Sequence, residues 1–130
     1  MAKKALDDLI GPEAGRSVEI TIWIPNKDRD GNPRHDQNDW KEKALRLLAK
    51  LFGKGATAMA PCDGAWLNPK TKQLVREEPI MVFCYVTEEQ VSQYTLMRRV
   101  IQFCRDMGKT MCQGEVAIKI GDRFILIDTF

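Results

Sequence analysis

Apolar and polar positions alternate strictly over residues 18–24, VEITIWI, with Val18, Ile20, Ile22 and Ile24 on one side and Glu19, Thr21 and Trp23 on the other. A period of two predicts a strand with one buried face, ended by Pro25, which has no amide to give to a ladder. A second alternation, IMVFCYV over 80–86, sets Ile80, Val82, Cys84 and Val86 against Met81, Phe83 and Tyr85. Between these runs the period changes. Trp40, Ala44, Leu47, Leu48, Leu51 and Phe52 recur at helical spacing, which predicts a helix over 39–53 with Gly53 at its end. Thr87-Glu88-Glu89-Gln90 is a capping-box signature, opening a helix over 88–107 that Gly108 is placed to end.

Shorter runs fill the remainder. ATAM (56–59) and AWL (65–67) flank the turn PCDG, NPKTK makes another turn, and QLV leads through Glu77, Glu78 and Pro79 into the apolar strand. EVAIKI and RFILID pair as a hairpin across Gly121-Asp122. Residues 1–15 read as a short helical arm, with Ala5, Leu6, Leu9 and Ile10 on one side and Gly11-Pro12 as its stop; residues 16–130 form one domain. The order strand, helix, strands, helix, strands predicts an α+β, ferredoxin-like two-layer sandwich: an antiparallel sheet with two helices on one face, plus an extra C-terminal strand. Such a sheet leaves its second face to another occupant.

Composition narrows the classes. A chain of 130 residues, 44% hydrophobic, supports a single domain with a real core. A net charge of +2 forces neither a nucleic-acid nor a membrane reading. No apolar stretch approaches the roughly 20 residues that span a bilayer. The start, MAKKAL, lacks the apolar core of a secretion signal. Cys62, Cys84, Cys104 and Cys112 form no Cys-x-x-Cys pair and read as reduced thiols, so the expected location is cytoplasmic.

Candidate chemistry is sparse. In the loop NKDRDGNPRHDQNDW (26–40), Asn26, Asp28, Asp30 and Gly31 fall at calcium-loop positions one, three, five and six, but Gln37 stands where a bidentate carboxylate belongs. Turn formation explains those residues more simply, with Asp36, Asn38 or Asp39 capping the next helix and His35 facing solvent. No metal and no cofactor are expected. GKGAT (53–57) follows a helix and precedes a strand, the reverse of a phosphate loop, so its dipole has the wrong sign. Lys43, Arg46, Lys50 and Lys54 line one flank of the first long helix and read as its solvated edge. Asp63, Glu77, Glu78 and Glu115 lie at strand ends, where carboxylates can converge for acid–base work. No Ser-His-Asp, Cys-His or His-Glu-x-x-His arrangement is present.

The open sheet face is the strongest positive signal. Trp23, Met81, Phe83 and Tyr85 all point away from the helices, and monomers rarely leave such a patch bare. The segments IWIP…D…G, LFGKGATA, GAW and a Glu before an apolar strand resemble small bacterial α+β proteins of unknown function with a Phe-Gly-x-x-Thr…Gly-x-Trp…Glu pattern. The resemblance covers about residues 20–86, with Lys54 where a second glycine belongs. It implies that Thr57, Gly64, Trp66 and Glu78 form a shared structural or functional cluster.

The leading expectation is therefore a non-enzymatic interaction or regulatory module. It would bind a protein partner through its sheet face, as a homo-oligomer or a subunit of a larger bacterial assembly. Two alternatives stand beside it: a small phosphodiester- or nucleotide-handling enzyme using Glu77, Glu78 or Asp63, and single-strand nucleic-acid binding through Trp23, Phe83 and Tyr85.

Overall fold

The alternating runs become the centre of one sheet in the computed structural model, which describes residues 2–11 and 15–129. After a helix α1 (Ala2–Ile10) come β1 (Val18–Ile24), α2 (Gln37–Phe52), β2 (Thr57–Ala58), β3 (Gly64–Leu67), β4 (Leu74–Glu77) and β5 (Ile80–Val86). Then follow α3 (Glu88–Val91), α4 (Tyr94–Thr110), β6 (Glu115–Ile120) and β7 (Arg123–Asp128). The main sheet has the order β2-β5-β1-β6-β7, and every neighbouring pair is antiparallel. β3 and β4 form a separate hairpin. An α+β fold with a five-stranded antiparallel sheet is thus established.

Register decides which side chains meet. Ile22 pairs with Val82 and Ile20 with Cys84 on one face, while Trp23 pairs with Met81 and Thr21 with Phe83 on the other. Ile20, Ile22, Ile24, Val82 and Val86 are buried beneath Ala44 and Leu48 of α2 and Val100, Cys104 and Met107 of α4. Burial of this kind contributes about 1.5–3 kcal/mol for each large apolar side chain. The Trp40 and Phe103 rings meet edge to face at 5.5 Å, joining α2 to α4. α2 ends where expected: Gly53 adopts φ 79° and its amide donates to the Ala49 carbonyl at 2.9 Å.

Several sequence expectations need correction. The helix expected over 88–107 is two helices, because the chain leaves helical geometry at Gln93 (φ −82°, ψ 112°) before α4 begins. Ser92 Oγ donates to the Glu88 carbonyl at 3.0 Å, a local bond that competes with continuation of the helix. Gly108 does not end α4, which runs to Thr110; the glycine is buried against Thr129 instead. ATAM contributes only the two residues of β2, which pair with β5 rather than with AWL, and AWL pairs with β4. Asp36 does stand at the N-cap of α2, but its carboxylate bonds Arg34 (2.9 Å) rather than the helix amides.

α1 is amphipathic, and its Leu6, Leu9 and Ile10 stay exposed. Its stop begins with Gly11, whose amide donates to Asp7 (2.9 Å); Pro12 lies outside the described residues. No described helix is long and apolar enough to cross a membrane.

Candidate functional site

The hairpin β3–β4 folds back so that its open end meets the end of β1. Gly64 pairs with Glu77 there. A Cβ at position 64 would lie 3.1 Å from Pro79 Cδ, so the close approach favours glycine. Two side chains clamp the segment between β4 and β5. Asn26 Oδ1 accepts from the Glu78 amide at 2.8 Å, and Gln37 Nε2 donates to the Glu78 carbonyl at 2.9 Å and to the Ile24 carbonyl at 3.1 Å. The Cys62 amide donates to the Pro79 carbonyl at 3.1 Å, fixing the neighbouring strand end.

These restraints shape a cavity of about 150 Å³ lined by Asn26, Lys27, Asp63, Gly64, Arg76, Glu77 and Glu78. Three of the four strand-end acidic residues named from the sequence therefore line one cavity. The fourth, Glu115, opens β6 opposite Asp128 and does not line the cavity. Glu77 is half-buried; burial pushes its carboxyl above the usual range, and the Lys27 ammonium opposes that rise. A raised carboxyl beside two cations is the kind of perturbed group that marks functional sites. Lys27 is held by its backbone, since Gln113 Nε2 donates to its carbonyl at 2.7 Å. Lys27, Arg76 and Gln37 carried no signal in the sequence pattern.

The other sequence-named residues are distributed. Of the cluster Thr57, Gly64, Trp66 and Glu78, only Gly64 and Glu78 line this cavity. Trp66 pairs with Val75 on the hairpin, and Thr57 lies on β2 opposite Phe83. Trp23, Met81, Phe83 and Tyr85 share the helix-free face, where Trp23 meets Phe124 edge to face at 5.7 Å and Phe83 meets Tyr85 at 5.9 Å. Phe124 and Leu126 of β7 extend that patch, a contribution the sequence reading lacked.

In the opening loop, Asp28 Oδ1 accepts from the amides of Asp30 and Asn32, each at 2.9 Å. Burial raises its carboxyl, but those bonds outweigh it and hold the group below the usual carboxylate range. His35 is exposed. Lys43 lies 4.3 Å over the Trp40 ring. Burial drives the thiol of Cys84 up to about 11 and that of Cys104 up to about 12, so neither is a nucleophile at neutral pH. Among the described residues no group of three or more His, Cys, Asp or Glu side chains could hold a metal ion.

No protein-family model and no curated protein matches the chain. Two solved structures share its fold. Phage SAM lyase in its apo state superimposes with a TM-score of 0.61 at 16% identity, covering 87% of this chain and 90% of that one. Phage SAM lyase in complex with S-methyl-5'-thioadenosine gives a TM-score of 0.61 at 17% identity, covering 88% of each. The fold is therefore one used by an enzyme, which overturns the expectation of a non-enzymatic interaction module.

Proposed function

We propose that this chain is a lyase acting on S-adenosylmethionine or a closely related sulfonium nucleoside, with the cavity at Glu77 as its reaction site. The observation that carries the reading is the half-buried Glu77 carboxylate, grouped with Asp63 and Glu78 and flanked by Lys27 and Arg76, in a fold shared with phage SAM lyase. The charge pattern suits the substrate. The amino-acid end of S-adenosylmethionine carries a sulfonium, an ammonium and a carboxylate. Carboxylates attract the first two groups, and Lys27 and Arg76 attract the third. The volume of about 150 Å³ admits that end alone and leaves the nucleoside outside.

A lyase breaks the carbon–sulfur bond without water. The bonding pair passes to sulfur, giving a neutral thioether, while an electron pair on the substrate's own carboxylate oxygen forms a new carbon–oxygen bond to the carbon left behind. Positive charge on sulfur disappears along this path, so a partly desolvated site favours the reaction. Incubation with S-adenosylmethionine, followed by chromatography, should reveal S-methyl-5'-thioadenosine. Glu77→Gln should slow its formation by on the order of 10²-fold, the loss typical when a group that holds the substrate's ammonium in its reactive geometry is removed. No product and no calorimetric binding of S-adenosylmethionine by the wild-type chain would sink the proposal.

A second reading concerns assembly. The strand order with α2 after β1 and α4 after β5 supports a ferredoxin-like frame with β7 added at its edge. Such a frame bares one sheet face, here carrying Trp23, Met81, Phe124 and Leu126. A second copy of this chain covers it in this reading, because the chain also supplies an amphipathic α1 whose Leu9 is 80% exposed. Four unpaired cysteines support a cytoplasmic location.

A further inference from the structure

The end of β5 away from the carboxylate cavity carries a second concavity of different chemistry. It has a volume of about 350 Å³, within the range of about 300–1,000 Å³ typical of small-molecule sites. Arg16 and Lys54 line it with Gly55, Thr57, Phe83 and Tyr85, and its lining holds no Asp or Glu among the described residues. The two cavities lie at opposite ends of β5, because Glu78 precedes that strand while Phe83 and Tyr85 stand toward its far end.

Each wall has a physical cause. Arg16 is anchored, with Nη1 donating to the Phe52 carbonyl at 3.1 Å and to Gln90 Oε1 at 3.0 Å. Gln90 is itself fixed by its capping box with Thr87. The guanidinium thus offsets the negative end of the α2 dipole, which would otherwise repel an anion at this point. Its charge reaches into the fold, where it opposes the burial-driven rise of the Cys84 thiol. Lys54 sits between Gly53 and Gly55, both at positive φ, and a Cβ at Gly55 would meet open space. The loop therefore leaves its backbone accessible beside a flexible cation. Phe83 and Tyr85 supply an edge-to-face aromatic pair, with Tyr85 51% exposed. The nearest carboxylate on the adjoining strand, Glu19 opposite Tyr85, is already engaged by Thr21 and, at 3.7 Å, by Lys119.

We propose that this concavity binds a mononucleotide, with its phosphate at Lys54 and Arg16 and its base against Phe83 and Tyr85. Two cations match a phosphate monoester, which carries about −1.5 to −2 charge at neutral pH. Aromatic faces accept any base by stacking. At about 350 Å³ the concavity is the size of one nucleotide rather than of a strand.

Titration of the full-length, isotope-labelled chain with AMP, adenosine, inorganic phosphate and a short oligothymidylate tests the proposal. AMP should shift the amides of Gly55, Thr57 and Tyr85 saturably, at least tenfold more tightly than adenosine or phosphate alone. Lys54→Gln, at an exposed loop position, should weaken AMP tenfold or more and leave adenosine unchanged. Glu77→Gln should leave AMP binding at these amides intact, so failure of the lyase reading would not remove this one. Shifts confined to Asn26, Gly64 and Glu78, or no saturable shift at millimolar AMP, would overturn the inference. Affinity that grows with oligonucleotide length would also overturn it, in favour of a strand-binding surface.

Discussion

Glu77 shows what the burial of one carboxyl does to stability. Burial raises its carboxyl pKa, with the Lys27 ammonium opposing, so the ionised form is disfavoured in the folded state. A folded pKa above the unfolded value of about 4.3 means that any relative stability is complete below that pH and is lost as pH rises through the higher folded value. Glu77→Gln should therefore melt at a higher temperature than the wild type at pH 7. The gap should close as pH falls through the raised carboxyl range and vanish below the ordinary one. A gap that persisted in acid would show that the substitution acts through packing. The acidic residues themselves were legible at strand ends, but the cavity they line was not. The clamps that gather them join residues 52 and 41 positions apart, and no local pattern encodes such contacts.

Among the elements, the strands and α2 were readable because their periods are strong and their ends carry proline or glycine. α3 and α4 were not separable, since neither glycine nor proline marks Ser92-Gln93 and the break accompanies a bond from the Ser92 hydroxyl to the Glu88 carbonyl. Gly108 misled for a related reason: a helix-ending residue type serves here as a packing contact. A Cβ at 108 would collide with Thr129 Cγ2 and sit 2.9 Å from Val116 Cγ2. Alanine gains about 0.5–1 kcal/mol of helix propensity over glycine, whereas overpacking typically costs about 1–3 kcal/mol. Gly108→Ala should thus destabilise the chain by about 1–2 kcal/mol, read from the urea midpoint. Thr129→Ser in the same chain should recover part of the loss, because it removes Cγ2 and keeps the hydroxyl that donates to the Gln113 carbonyl at 2.6 Å. Equal stability of Gly108→Ala and wild type would show that α4 and the C-terminal segment separate freely.

At the scale of the molecule, the two faces of one sheet make opposite demands. The face under α2 and α4 is sealed, and a charge placed there has no partner and no water. The other face exposes 62% of Phe124 and 55% of Leu126 around the half-buried Trp23. If copies of the chain meet on this face, Phe124→Asp should yield a smaller species in sedimentation while keeping the far-ultraviolet spectrum and melting temperature of a folded chain. Ile22→Asp should unfold it, because Ile22 is fully buried and an unpaired charge in such a place costs several kcal/mol. The contrast isolates assembly from folding, since positions 22 and 124 lie on opposite faces of the same sheet. Lyase turnover measured on the Phe124→Asp species then separates two possibilities. Full activity would mean that the Glu77 cavity is complete within one chain; a loss in proportion to dissociation would mean that a second copy supplies part of the site. A wild-type chain that sediments as a monomer at every concentration would remove the assembly reading and leave the aromatic face as solvent-exposed surface.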